Sequence, residues 1–305
     1  MAPKSKKLAK IGRKIKRVAN RAVSVAKGFA GLDDNAKKAA MMLMDPCNAA
    51  LEPGCYRGDQ GFKARFVANG SLLTSATTVA GAVAFVPNST QFYTIDWTAA
   101  LPATAWTDNS TFYSPGRTFI NANASGVRSL GACVSLAPLS SNLATAGVVY
   151  SGVVPVSSLG LSSTWTPPQL AQLLPNFGKV TIDGPMECKY IPASADENYT
   201  LVGQTGDASD NNAILFVFIG FPASTGFSVR ATNIAEWKPL ANLGIASNSA
   251  LGNPSRNTIE HVKEALRMRD EHWYTNVGKT AFSVLRGYSM GGLVGAAGAA
   301  LKVFK

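Results

Sequence analysis

Residues 213–220 read Ala213-Ile214-Leu215-Phe216-Val217-Phe218-Ile219-Gly220, an unbroken apolar run of β-branched and aromatic side chains closed by a glycine. A run this short, without polar alternation and bounded by turn residues, suits a strand covered on both faces. A second stretch, Phe62-Lys63-Ala64-Arg65-Phe66-Val67, alternates instead, which suits a half-buried strand. Working outward from these two, β-branched and aromatic content between Gly, Pro, Asn and Ser punctuation predicts strands over 62–73, 79–86, 91–97, 127–136, 147–156, 179–190, 213–220 and 227–237. One helix interrupts the series at 167–174, where Thr166 can cap and Pro167 supplies the first-turn proline. Strands and helices do not alternate, which excludes Rossmann and α/β-barrel enzymes. The expected fold is therefore all-β: an eight-stranded antiparallel sandwich of two sheets, with the jelly roll as the leading topology.

The composition supplies the core for such a fold. Of 305 residues 46% are hydrophobic, enough to exclude a disordered chain. Length alone would suggest two domains, but β-sandwiches commonly reach about 200–250 residues as one unit, so the strand pattern decides. Charge is distributed unevenly. Ten of the 29 Lys and Arg residues lie within 1–27, the first acid is Asp33, and the rest of the chain carries 19 bases against 18 acids. The +11 net charge is thus a basic arm on a nearly neutral body. Charged residues make up 15% of the chain, against about 25% in an ordinary globular protein, so the body's surface needs a partner, a membrane or copies of itself to cover it.

Within the arm, Leu8, Ile11, Ile15, Val18, Ala22 and Val25 recur at three- and four-residue steps, which predicts a helix with one narrow apolar stripe. Lys4, Lys6, Lys7, Lys10, Arg13, Lys14, Lys16, Arg17, Arg21 and Lys27 are the candidate nucleic-acid-binding residues. Phosphate contacts by such side chains release counterions and bind without regard to sequence. A solvated tail and a membrane-surface helix are the competing readings; the stripe lacks the large aromatic that favours lipid. The chain divides into the basic arm, 1–35; a short helix and approach to the shell, 36–60; the sandwich, 61–240; and a helical C-terminal segment, 241–305.

Cys47, Cys55, Cys133 and Cys188 show no C-x-x-C spacing and are read as buried thiols of a reducing compartment, although Cys47 and Cys55 could bridge. No apolar signal core follows the basic N-terminus. The five N-x-S/T sequons, at Asn69, Asn88, Asn109, Asn123 and Asn198, are read as by-products of a Ser/Thr/Asn-rich composition. Met290–Leu301 is too short and too glycine-rich to span a bilayer.

Three stretches carry a resemblance. Arg128-Ser-Leu-Gly131-Ala-Cys-Val, followed by Leu139-Ser-Ser and Ala146-Gly147-Val148-Val149, resembles paired strands in the coat proteins of small icosahedral positive-strand RNA viruses of the noda-like and tombus-like type. Gly220-Phe-Pro-Ala-Ser-Thr-Gly-Phe227, ending in Glu236-Trp237-Lys238-Pro239, is similar to the last hairpin of that jelly roll and its exit. Met44-Asp45-Pro46-Cys47 resembles the point where such chains leave an internal arm and join the shell. The resemblance implies a capsid protein that self-assembles into an icosahedral shell, of T=3 type, from copies of itself. Its arm would face inward onto viral genomic RNA, with assembly in the host cytoplasm and residence in the virion.

It bears on the C-terminus as well. Asn257-Thr-Ile-Glu260 reads as a capping box, opening a helix with Ile259, Val262, Leu266 and Trp273 on one face. Beyond it Phe282, Leu285, Leu293, Val294, Leu301 and Phe304 sit among glycines and bases. That mixture resembles the membrane-active peptide that nodavirus coat proteins release by autocatalysis at an Asn-Ala bond, and it makes the host membrane a candidate partner. Every Asn-Ala bond here, after Asn35, Asn48, Asn121, Asn123 and Asn212, lies far upstream, and Asn276-Val277 is the one well-placed substitute. Asp207 and Asp210, loop acids near Asp196 and Glu197, offer the oxygen ligands that a Ca²⁺ at a subunit interface would use, as in some related shells; solvated acids are the competing reading, and no other cofactor is expected.

No enzyme is expected beyond such a maturation cleavage. Gly287-Tyr-Ser289-Met-Gly291 matches a nucleophile elbow, but no His or acid follows it, and His261 and His272 both precede it, against the order that fold requires. The alternative function is a cationic membrane-binding or pore-forming β-sandwich protein.

Overall fold

The apolar run at 213–220 forms a strand, Asn212–Ile219, whose side chains enter two cores in alternation. Ile214, Phe216 and Phe218 point into the space between two sheets, and Ala213, Leu215 and Val217 into a second cluster on the opposite face. All six are at most 2% exposed. The expectation of a doubly covered strand is met.

The computed structural model describes residues 39, 42–49, 61–73, 77–112, 116–139, 147–174, 179–180, 186–192, 196, 198–200, 211–222 and 225–240. Ala39 and Met42–Met44 are helical and buried, within the helix expected at 36–44. The strands all belong to one compact unit, Asp45–Asn253. In chain order they are β1 (Phe62–Leu73), β2 (Thr78–Val86), β3 (Gln91–Thr98), β4 (Thr104–Ala105), β5 (Thr107–Asp108), β6 (Ala124–Pro138), β7 (Val148–Pro155), β8 (Thr164–Trp165), β9 (Lys179–Val180), β10 (Met186–Tyr190), β11 (Asn212–Ile219) and β12 (Gly226–Pro239).

Two sheets form the sandwich, one of four strands ordered β1-β12-β6-β10 and one of six ordered β5-β3-β2-β11-β7-β9. Four antiparallel pairs define the topology: β1 with β12, β2 with β11, β6 with β10 and β7 with β9. Pairing first with last, second with second-last and so inward is a long hairpin rolled over two sheets, which is the jelly roll.

The eight strands of that roll are not quite the eight expected. The stretch 179–190 supplies two of them, β9 and β10, which lie in different sheets. Strand β3, counted among the eight from its sequence, instead extends the six-stranded sheet at the β2 edge, carrying β5 beyond it.

Small residues on β2 explain the second core. Ala80, Ala82 and Ala84 are fully buried and leave room on the outer face of the six-stranded sheet for Val156, Leu159 and Leu170, carried by the short helices Val156–Leu159 and Pro167–Ala171. Trp97 Nε1 donates to the Trp165 carbonyl at 2.9 Å, and Trp106 Nε1 to that of Leu159 at 3.0 Å, so both indoles bury their area without losing a hydrogen bond. The 167–171 helix begins where the sequence places it. Gln169 Oε1 accepts from the Thr166 N–H at 2.9 Å and from its hydroxyl at 2.8 Å, a capping box. Thr166→Ala is expected to cost about 1 kcal/mol, read as a lower urea midpoint at unchanged slope; an unaltered midpoint would show that the cap contributes nothing.

A polar network closes one end of the sandwich; Asn88, Ser129, Asp196, Asn211 and Asn233 are buried and Asn212 is half-buried. The Ser129 N–H donates to Asn88 Oδ1 at 2.7 Å, Asn88 Nδ2 to Asn211 Oδ1 at 2.9 Å, and Asn233 Nδ2 to the Pro87 carbonyl at 2.7 Å. The Asp196 carboxylate accepts from the Asn212 N–H and Nδ2 at 2.8 and 2.7 Å. These contacts tie β6 and β12 of one sheet to the β2–β3 turn and the start of β11 in the other. The sequon at Asn88 is 1% exposed and has no room for a glycan, in keeping with its reading as a by-product.

Candidate functional site

The outer face of the four-stranded sheet is where the chain joins the sandwich. Side chains of β1, β12, β6 and β10 alternate between the core and this face. Ala68, Leu72, Val134, Leu136, Val229 and Ala231 enter the core, which directs Arg65, Cys133, Glu187 and Lys189 outward.

Residues 45–49 are fixed to that face at three points. Cys47 and Cys133 form a disulfide whose Cα atoms are 5.5 Å apart, within the range an unforced bridge requires. The Arg65 guanidinium donates to the carbonyls of Cys47 at 2.6 Å and Ala49 at 3.3 Å. Lys189 Nζ lies 3.8 Å from the Asp45 carboxylate and 3.2 Å from that of Glu187. Asp45 also closes the turn itself, its carbonyl accepting from the Ala49 N–H at 2.9 Å and its carboxylate from Asn48 Nδ2.

The bridge corrects the reading of these two cysteines as thiols. Cys47 and Cys133 are separated by 86 residues, and no spacing rule connects sulfurs that the fold, not the local sequence, brings together. Cys188 is buried and takes no part in a disulfide, as expected, and Cys55 lies outside the described residues. The donor atoms of Cys47, Cys133 and Glu187 lie within 4.8 Å of one another, but sulfurs bonded to each other are not thiolates and do not ligate a metal.

The same sheet also buries an ion pair. Arg128 on β6 and Glu236 on β12 are cross-strand partners, 2% and 0% exposed. Arg128 Nε and Nη2 both donate to Glu236 Oε2, at 2.8 and 2.7 Å, while Glu236 Oε1 accepts from the Gly61 N–H at 2.8 Å. The Tyr199 ring lies 4.3 Å from the guanidinium and 4.6 Å from Lys238 Nζ, placing two cations at its π face. Burial, and then the Glu236 carboxylate, push the Tyr199 phenol well above its ordinary range, so it is a neutral hydrogen-bonding group at physiological pH. Arg128, Gly131 and Cys133 opened the first family-like stretch in the sequence. Their roles are an ion pair, the residue after the β6 bulge between the Ser129 and Gly131 pairings, and a disulfide. Gly147, from the same motif, adopts φ +107° just before β7, a conformation glycine tolerates and other residues resist.

The other predicted site residues lie outside the described residues: the arm bases from Lys4 to Lys27, the metal candidates Asp207 and Asp210, and the membrane candidates Phe282, Leu285, Leu293, Val294, Leu301 and Phe304. Asp196, which neighbours the metal candidates in sequence, is engaged in the network around Asn212. Among the described residues no helix is long and apolar enough to cross a membrane.

No protein-family model matches the chain, and no curated protein matches it. Solved structures do. A chain of the T13 infectious bursal disease virus particle, from work on the evolution of icosahedral viruses, superposes with TM-score 0.55 at 8% identity, covering 83% of this chain and 97% of that one. A chain from T=1 particles derived from the same virus gives TM-score 0.51 at 8% identity, covering 79% and 95%. The fold is that of subunits in icosahedral virus particles. At such low identity the likeness is one of architecture, and it agrees with the jelly-roll pairing found strand by strand.

Proposed function

We propose that this chain is the coat protein of a small icosahedral positive-strand RNA virus of the noda-like or tombus-like type, assembling a closed shell from copies of itself and packaging genomic RNA through residues 1–27. The observation that carries the reading is the jelly roll itself, with the fold of virus-particle subunits. The segregation of charge supports it. A subunit that meets neighbours on several sides keeps few charges at those contacts, and symmetric or quasi-equivalent copies of one chain suffice to close a shell.

In this reading the protein is structural, not enzymatic: it gathers in the host cytoplasm, resides in the virion, and binds RNA by charge rather than by sequence. The narrower assignment to the noda-like and tombus-like type rests on the stretches at 128–134, 146–149 and 220–239. The competing reading, a cationic membrane-binding sandwich, is separated by one preparation. In sedimentation velocity the coat protein is expected to run as a uniform species far heavier than the 32.0 kDa chain; a persistent monomer that empties liposomes of dye would favour the alternative.

A further inference from the structure

The structure assigns the Cys47–Cys133 bridge a role as a redox latch: a thiol–disulfide exchange site for a small thiol of the glutathione class, with Cys47 as the exchanging sulfur, that opens to release residues 45–49 from the four-stranded sheet. The chemistry stands on the fold alone. Its biological timing, open in the host cytoplasm and closed in the released particle, rests on the coat-protein reading.

Three observations carry it. The two residues differ in access: Cys133 is 0% exposed within β6, whereas Cys47 is half-buried in the turn. Exchange requires a thiolate to reach a sulfur, so Cys47 is the one an external thiol attacks. The other tethers of the turn are hydrogen bonds from the exposed Arg65 and the partly exposed Asp45–Lys189 pair, whose 3.8 Å separation is long for an ion pair, and pairs in contact with water contribute little. Finally, the sandwich does not depend on the turn. Among the described residues the clusters that fill the sandwich are built from residue 62 onward, and within 45–49 only Pro46 is buried, so opening is local.

The closing step balances with glutathione disulfide as oxidant. The Cys47 thiolate attacks one glutathione sulfur and expels a glutathione thiolate, forming a mixed disulfide. The Cys133 thiolate then attacks the Cys47 sulfur and expels the second. Two electrons pass from the protein to glutathione, and the two protons lost by the cysteines end on the released thiolates. Two molecules of reduced glutathione reverse the sequence.

The test uses the full chain, equilibrated in oxidised or reduced glutathione, quenched with acid, alkylated and mapped by peptide mass spectrometry, with hydrogen exchange in parallel. A Cys47–Cys133 linked peptide is expected in oxidised glutathione and none in reduced, with Cys188 alkylated only after denaturation. In Cys133→Ser, glutathione should be found on Cys47. Exchange at 45–49 should rise at least about tenfold on reduction, while β6 and β12 stay protected. A Cys47–Cys55 link, a bridge that never forms, or unchanged exchange at 45–49 would each overturn the latch. None of these results bears on whether the chain assembles, so the two readings fail separately.

Discussion

Glu236→Ala is expected to lower the stability of the sandwich by about 3–5 kcal/mol. The substitution leaves the Arg128 guanidinium 2% exposed with its carboxylate gone, and it strips the Gly61 N–H of its acceptor. The loss comes less from a missing attraction than from a charge stranded away from water. The expected figure is a large part of the roughly 5–15 kcal/mol that holds a typical domain together. Two further variants separate the causes. Glu236→Gln keeps an acceptor for Gly61 but not the charge, and should recover only part of the loss. Replacing both partners with apolar residues, Arg128→Met with Glu236→Leu, should recover most of it, because a buried ion pair contributes little net stability over a well-packed apolar pair. Denaturant unfolding of the unassembled chain, followed by tryptophan fluorescence, reads all three. A single variant as stable as the parent would mean that the pair is hydrated in solution.

Deleting residues 2–27 is expected to abolish bulk RNA binding and to leave the sandwich folded. The deletion removes ten of the 29 bases and no acid. If most of those bases meet phosphates, affinity for RNA should fall roughly 10³–10⁵-fold between 50 and 200 mM salt in the parent chain, through counterion release. The truncated chain should lose both the affinity and the salt slope. Its thermal unfolding should match the parent's. Equal amounts of RNA co-purifying with the two chains would remove the arm from the account.

How much of this was legible beforehand follows the range of the interactions. Periodicity is local, and it located β1, β2, β11 and β12 to within a residue or two, because Phe62–Val67 and Ala213–Gly220 declare their own burial. The same local signal could not show that 179–190 changes sheets. Alternation reports a buried face and not the sheet to which it belongs. The helix Arg117–Asn123 was missed for a related reason: it has no side-chain cap and buries only Arg117 and Ile120, so neither a start signal nor a stripe marks it. Two-residue strands such as β4 and β8 carry no period at all.

The site was less legible than the fold. Arg128 and Glu236 stand 108 residues apart, and Cys47 and Cys133 stand 86 apart; each pair exists only because the roll sets β12 beside β6 and returns residues 45–49 to β6. The motif containing Arg128 and Cys133 was recognised by likeness, and its physical content became clear only with the partners in place. The unequal placement of charge, by contrast, was plain from composition.

Cryo-electron microscopy of the expressed full-length chain tests the central claim, self-assembly of this jelly roll into a shell, most directly. The expected result is closed particles of uniform diameter whose icosahedral reconstruction is tiled by the β1–β12 sandwich. Preparations that yield only monomers or irregular aggregates, under conditions in which the chain is folded, would contradict it.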